Sequence, residues 1–530
     1  MPGTSSTEAW SIILIKHFIS ARKWFKGNSL RGDKMKKQNR RVVIFMVLFI
    51  VLAVSMILPA APSPDTPDTP AGKRLKESLD LINTGDIDKI RDYTRDQFTE
   101  SFIEMFSEER LFHVYYGFYE KYQGLDFHKA IKSTPNKIVA VHRCRLTGSG
   151  YLFGLTVKDK PPHKIHGMTI LPLAHPDQPE SLESLIEEEK IAMLESFLDR
   201  LDKAGVFSGA VLLARDGDVL LKKACGPASR RYSIPNRIDT RFNLASLNKM
   251  FTAVAVAQLC EQGKMSYEDP IGQYLGSDWI PKDIGKKVRI KHLLSHTSGI
   301  WIGGEDDSLT YLEEAVRRQF RDINDFKCLS AKAELKFQPG EKFTYSNMGM
   351  HLLGPIVEKV SGENFYQYLQ AHVFGPAGMS GAGFYEIDRP EPDVAMGYVK
   401  QYEGGTFRWK NNVLECRVKG TPAGGAYATV DDLRKFARAL QNNTLVSEKT
   451  REILFTPKEE LNASSYGFGF KIRKFDELLK IGHTGGYIGI NNSFSMYPDN
   501  GYTMIILSNV DLLSGSMVSD IEFFITSLFF

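Results

Sequence analysis

Eighteen consecutive residues from Val42 to Pro59 (VVIFMVLFIVLAVSMILP) are uncharged and almost wholly apolar, and Lys36, Lys37, Arg40 and Arg41 precede them. A helix of about 20 such residues matches the thickness of a bilayer's hydrocarbon core, so this segment enters a membrane. The basic flank stays on the cytoplasmic side, which exports everything after about residue 62. Cleaved secretory segments have shorter apolar cores, of about 7 to 15 residues, and the small-x-small site at Ala53 to Ser55 falls inside the run. The expected arrangement is therefore a cytoplasmic segment over 1–41 and a single transmembrane anchor over 42–60. The alternative is a signal sequence, with a secreted product. Met35-Lys-Lys-Gln-Asn-Arg-Arg reads like the opening of an export signal, so residues 1–34 are expected to arise from an upstream start codon.

The remainder of the chain must fold in water outside the cell, in the periplasm or beyond. At 530 residues the chain is about three to four times the usual size of one domain, so two or three are expected. With 42% hydrophobic and 25% charged residues it has a globular composition. Lys and Arg number 67 against 63 Asp and Glu, which excludes a strongly basic nucleic-acid-binding body. The five cysteines, Cys144, Cys225, Cys260, Cys328 and Cys416, form no C-x-x-C pair and suit neither a disulfide scaffold nor a zinc ribbon. His292 and His296 stand four apart without the Glu of a zinc-protease helix, so they are assigned structural roles and no metal is expected.

The Pro-, Asp- and Thr-rich stretch 61–72 reads as an extended stalk. Helical spacing over 73–123 (Leu75, Leu79, Ile82, then Phe98, Phe102, Phe106) is followed by strand-like segments at 136–146, 151–157 and 164–171. This predicts a small α+β domain over 73–175, resembling the NTF2-like or cystatin-like cone folds on architecture alone, with either a binding role or a bland one as spacer or dimerisation module. A linker covers 174–182. The second body, 183–530, opens with a helix (183–203) and a hairpin around Arg215-Asp216-Gly217-Asp218. It ends with strands at 465–473, 477–482, 489–497 and 502–508 and a helix at about 514–528, which suggests one sheet completed by both ends of the body.

Three short clusters carry chemistry. Ser246 and Lys249 open an apolar helix running through Met250, Phe251, Val254 and Leu259 to Gly263; at i and i+3 they share a face, so a neutral amine could take the serine's proton. Alone, Ser246 reads as a helix N-cap. Tyr345-Ser346-Asn347 follows a Pro-Gly turn, and a nearby lysine ammonium would favour the phenolate. Alone, these are ordinary loop residues. His483-Thr484-Gly485-Gly486 ends a strand-like stretch where glycines would admit a substrate backbone; alone, it is a Gly-rich turn. No complete G-x-S-x-G occurs, Gly378 to Ala382 falling short, so an α/β-hydrolase would lack its nucleophile elbow.

Taken together, S-x-x-K, Y-x-N and H-T-G in this order resemble the serine β-lactamase and penicillin-binding family, within it the branch of class C β-lactamases, DD-peptidases and esterases. Leu293-Leu294-Ser295-His296-Thr297-Ser298-Gly299 and Pro422-Ala423-Gly424-Gly425 add to the likeness, which covers about 185–530. The resemblance implies a β-lactamase/transpeptidase-like α+β fold, an antiparallel sheet flanked by helices. It implies Ser246 as acylated nucleophile, Lys249 and Tyr345 as acid and base, Asn347 on the substrate, and the N–H groups of Ser246 and Gly486 as oxyanion hole. His483, Thr484 and Gly485 would meet the substrate, the first two at its carboxylate end, while His296 and the Gly424-Gly425 loop would be structural. His483 stands where the family usually has Lys, which puts efficient β-lactam hydrolysis in doubt. The expected function is a cofactor-free serine hydrolase of D-amino-acid peptides, DD-peptidase-like or D-aminopeptidase-like, or of small esters. The alternatives are a membrane-anchored penicillin or peptidoglycan sensor with slow deacylation, and a degenerate scaffold.

Overall fold

Strands near the two ends of the second body must find partners for their buried backbone groups, and a shared sheet supplies them. The computed structural model describes residues 66–173, 185–303, 320–475 and 477–530. The segments 1–41 and 42–60, the first part of the stalk and the whole 174–182 linker lie outside the described residues. Among the described residues no helix is long and apolar enough to cross a membrane.

Helices α1 (Pro70–Thr84), α2 (Ile87–Asp96), α3 (Glu100–Phe106) and α4 (Glu108–Tyr122) come first. A four-stranded sheet comes next, in sequence order β1 (Leu125–Thr134), β2 (Lys137–Cys144), β3 (Gly150–Val157) and β4 (Ile165–Leu173). The chain divides into two compact units, Met1–Glu77 with Phe127–His142 and Leu152–Leu171 in one, and Ser78–Asp126, Arg143–Tyr151 and Pro172–Phe530 in the other. The smaller unit thus holds most of the sheet. In it Phe153, Leu155 and Val157 are buried, and Phe127 and Phe153 flank His142.

The larger unit takes α2 to α4 together with the whole second body. Helix α5 (Glu187–Lys203) carries three glutamates in its first turn and Arg200 and Lys203 in its last, matching its dipole. Strands β5 (Gly209–Arg215) and β6 (Asp218–Cys225) turn at Asp216 and Gly217, both at positive φ as a two-residue hairpin needs. Helix α6 (Asn248–Glu261) is buried on every side over Asn248–Leu259, α7 (Asn347–Ser361) ends at left-handed Gly362, and β7 (Tyr398–Glu403) pairs with β8 (Thr406–Asn411). Helix α8 (Val430–Gln441) starts in a Thr429/Asp432 capping box. The chain closes through β9 (Lys471–Phe475), β10 (Leu478–Tyr487), β11 (Ile490–Tyr497), β12 (Tyr502–Ser508), β13 (Val510–Asp511) and α9 (Val518–Phe529).

The main sheet is antiparallel in the order β9-β10-β11-β12-β5-β6, so both ends of the body do complete one sheet. Strand alternation separates its faces. Phe494 packs on Phe436 of α8, while Ser493 and Tyr497 look the other way, toward Glu522 and Phe530 at α9. On that second face Phe197 of α5 stacks on Phe524 of α9, ring centroids 4.1 Å apart. Phe524→Ala is expected to lower stability by about 3–5 kcal/mol in denaturant unfolding. A loss under about 1 kcal/mol would show that the α5–α9 contact does not hold this face.

Candidate active site

Ser246 lies on a strained turn. Ala245–Leu247 form a 3₁₀ turn before α6, and Ala245 sits at φ 46°, held by its N–H donating to Asn243 Oδ1 at 2.9 Å. Ser246 does not cap the helix; its Oγ faces Lys249. Two backbones grip the turn. Gly425 N–H donates to Ala245 O, and Leu244 O lies where a Cβ on Gly485 would come within 2.2 Å.

Lys249 is fully buried. Its Nζ reaches Ser246 Oγ at 3.0 Å, Asn347 Oδ1 at 2.8 Å and Ala423 O at 2.6 Å. The amide and carbonyl oxygens can only accept, so they take two N–H bonds in either protonation state. The third direction, toward Ser246, holds an N–H when the amine is charged and a lone pair when it is neutral. A proton can therefore pass between Oγ and Nζ without moving a heavy atom. Ala423 O is delivered by the Pro422-Ala423-Gly424-Gly425 loop, which Asn248 Nδ2 (to Thr421 O, 2.8 Å) and Thr252 Oγ1 (to Pro422 O, 2.7 Å) tie to α6.

Tyr345 comes from the strap before α7, where Ser346 Oγ caps the helix by accepting from Gly349 N–H. Lys249 Nζ sits 4.9 Å from its ring centroid. Burial pushes the phenol's pKa up, against a smaller opposite pull from its hydrogen bond with Ser246. The expected phenolate is thus corrected to a neutral phenol, because burial outweighs the Ser246 hydrogen bond. His296 clamps the strap from both sides: Thr344 N–H donates to its carbonyl at 2.9 Å and Ser346 N–H to its Nδ1 at 3.1 Å. Its ring packs on Tyr345 at 4.3 Å, and burial, with Lys249 nearby, holds it neutral. His292 accepts Arg289 N–H at the start of a short helix, a structural role.

The H-T-G-G residues lie inside β10 and alternate accordingly, Thr484 and Gly486 exposed, His483 and Gly485 buried. The expected contact of His483 and Gly485 with substrate is corrected. Gly485 serves the close approach of Leu244. His483 is enclosed: its Nδ1 donates to Thr484 O at 2.6 Å, which makes Nε2 the acceptor for Tyr466 Oη at 3.0 Å. Burial, then the charges of Lys471 and Lys249, push its pKa well below the ordinary histidine value, so it carries no charge for a carboxylate.

The cations stand on the neighbouring strand, where no motif marks them. Lys471 pairs with Gly482 and Arg473 with Lys480, which places all of them on the Thr484 face. Lys480 is taken by Glu522, while Lys471 Nζ donates to Thr484 Oγ1 at 2.6 Å. Burial, then Arg473, lower the pKa of Lys471. Lys471, Arg473, Thr484 and Phe343 line a cavity of about 430 Å³ beside Ser246. A second cavity, about 490 Å³, opens on the other side of Ser246, floored by the apolar group of Ala245, Cys416, Ile490 and Tyr487. Asn347 lines it, and Gly486 borders both cavities with nothing within 4 Å of where a Cβ would stand.

Residues 194–523 match the β-lactamase family model. Penicillin-binding protein 4* of Bacillus subtilis is 31% identical over 341 residues, covering 61% of this chain and 73% of that protein. The crystal structure of a penicillin binding protein from Bacillus halodurans superposes with a TM-score of 0.56 at 32% identity, over 63% of this chain and all of that one. The D-amino acid amidase of Ochrobactrum anthropi shares the fold at 20% identity, with a TM-score of 0.53 over 64% of this chain and 97% of its own. With a serine, a lysine and a tyrosine converging at one cleft in that fold, the chain belongs to the β-lactamase family of serine hydrolases.

Proposed function

We propose that the protein is an exported, membrane-anchored acyl-serine hydrolase that cleaves amides or esters with an apolar acyl part and an anionic group across the scissile bond, D-amino-acid peptides with a free carboxylate foremost. The observation that carries this is Ser246 on a lysine held by two acceptor-only oxygens, between a cavity with an apolar floor, whose wall includes Arg417 and Lys419, and one lined by Lys471 and Arg473. Two relatives bear the name penicillin-binding protein, which supports a β-lactam as a probe. Export rests on the 42–59 segment and its basic flank.

Ser246 Oγ attacks the carbonyl carbon while its proton passes to Lys249 Nζ, directly or through Tyr345. The N–H groups of Ser246 and Gly486 receive the oxyanion. The carbon–nitrogen or carbon–oxygen bond then breaks, the leaving group takes the proton from the Tyr345 phenol, and Lys249 restores the phenol's proton. A water, deprotonated by the neutral Lys249 and Tyr345 pair, releases the acid and regenerates Ser246. Lys471, Arg473 and Thr484 hold the anionic end.

A fluorescent penicillin should add once to the detergent-solubilised chain, by intact mass, and not to Ser246→Ala. The adduct's lifetime separates a hydrolase from a slowly deacylating receptor; neither adduct nor ester turnover would reject the nucleophile. Lys471→Ala should lower kcat/KM about tenfold or more for a peptide with a free C-terminal carboxylate and leave its amide unchanged. Lysine is charged below its pKa, so carboxylate affinity should stay flat from about pH 5 to 7 and fall on the alkaline side, earlier than for an ordinary lysine. A fall centred near pH 6.5 would return the role to His483. His296→Leu should cut kcat about 10- to 100-fold with little change in KM, and His296→Asn, whose Oδ1 can replace Nδ1 as acceptor, should restore most of it. Equal losses in both variants would make the clamp irrelevant to Tyr345.

A further inference from the structure

We propose that Glu120, on helix α4 before the family-matched region, is a positioning residue that sets the width of the apolar subsite beside Ser246. The inference rests on the acyl-serine reading for its link to catalysis.

The Glu120 side chain is only 1% exposed, and four donors meet it. Lys400 Nζ (3.1 Å) and Leu513 N–H (3.2 Å) donate to Oε1; Ser514 N–H (2.8 Å) and Ser514 Oγ (2.7 Å) donate to Oε2. Both oxygens must accept, so the site is built for a carboxylate. One turn earlier Gly117 lets the helix close on Ser514: a Cβ there would lie 3.1 Å from Ser514 Cβ.

The two segments that Glu120 joins are roots of the subsite's two walls. Lys400 belongs to β7, which pairs with β8, and the chain after β8 forms the 416–420 wall. Leu513 and Ser514 come one residue after β13, the parallel neighbour of β7. On β13, Asp511 accepts Gly489 N–H at 2.6 Å and holds the turn carrying Tyr487 and Ile488, the opposite wall. The walls are latched to each other where Asn412 Nδ2 donates to Ile488 O (2.8 Å) and Tyr487 Oη to Glu415 O (2.7 Å). Releasing β7 from the 513–514 turn therefore loosens both walls at their base, while the Ser246–Lys249 pair, held by α6 and the 421–425 loop, keeps its geometry.

The test uses the full chain with Glu120→Gln, whose amide nitrogen would face two donors, and Lys400→Met as the milder break of the same knot. The ratio of kcat/KM for p-nitrophenyl hexanoate over p-nitrophenyl acetate should shift at least about fivefold in Glu120→Gln and in the same direction, by less, in Lys400→Met, with kcat for the acetate within about twofold of wild type. Independently of acylation, alkylation of Cys416 by a neutral maleimide, monitored by peptide mass, should accelerate at least about fivefold while buried Cys225 of β6 keeps its rate. Unchanged ratios and Cys416 rates in both variants would overturn the proposal, as would Cys225 accelerating in step with Cys416, which marks general loosening. Should the wild type show no Ser246-dependent turnover, the acyl-serine reading falls, and the Cys416 rate alone decides whether Glu120 sets the subsite's width.

Discussion

A lysine amine without any contact with water is costly unless every one of its hydrogen-bonding directions is filled. Lys249 meets this with three oxygens drawn from three parts of the chain: Ser246 on its own helix, Asn347 at the start of α7, and the Ala423 carbonyl. Each partner must be delivered within a few tenths of an ångström. The 421–425 loop is accordingly tied to α6 through Asn248 and Thr252, and the α7 entry is capped by Ser346 and clamped by His296. The buried helix, the strap and the loop are thus one device for holding an amine beside a hydroxyl.

The sheet contributes by its period of two. Once β10 lies against the nucleophile turn, Gly485 must face Leu244, since any Cβ there collides with its carbonyl oxygen. Thr484 and Gly486 are then forced toward the cleft and His483 into the interior. An imidazole in that interior position loses its charge to burial and becomes part of a wall with Tyr466, His296 and Tyr345. Positive charge for an anionic ligand has to enter from elsewhere. The register of β9 supplies it, placing Lys471 across from Gly482 with its amine on Thr484. A cation therefore stands beside Thr484 although the third motif carries histidine.

This explains which parts of the site could be read in advance. Ser246, Lys249, Tyr345, Asn347 and Thr484 sit in short motifs whose spacing reports local geometry, and the hairpin at Arg215 to Asp218 declares itself by Asp-Gly chemistry. Lys471 and Arg473 belong to no motif, because what brings them to the cleft is strand register, and Tyr466 belongs to none either, coming from the turns before β9. Ala423 acts through its carbonyl, which any residue type would offer. His296 was visible only as one of a histidine pair and as part of the Leu293–Gly299 stretch, with a structural role; its work is done by its main-chain carbonyl and one ring nitrogen, acting on a strap fifty residues away. The strand boundaries shifted for a related reason. Gly485 and Gly486 read as a turn by composition, yet β10 runs through both, and at Gly485 a neighbouring backbone occupies the space a side chain would need.

Segments added ahead of a catalytic body are free to be mere spacers, and helix α4 has features a spacer does not need. A spacer tolerates surface contact through a few apolar side chains. Glu120 instead takes a charge into a site with four donors and almost no water, which is stable only if those donors stay in place. Two residues on, Tyr122 donates to Asp520, and Lys121 bonds Ser516 O at 3.0 Å, so the turn between β13 and α9 is held along its length. Such polar, geometry-demanding contacts add less to adhesion than apolar packing would, and they define one register between helix and turn. That register passes through Asp511 to the wall of the subsite, which makes α4 part of what shapes it.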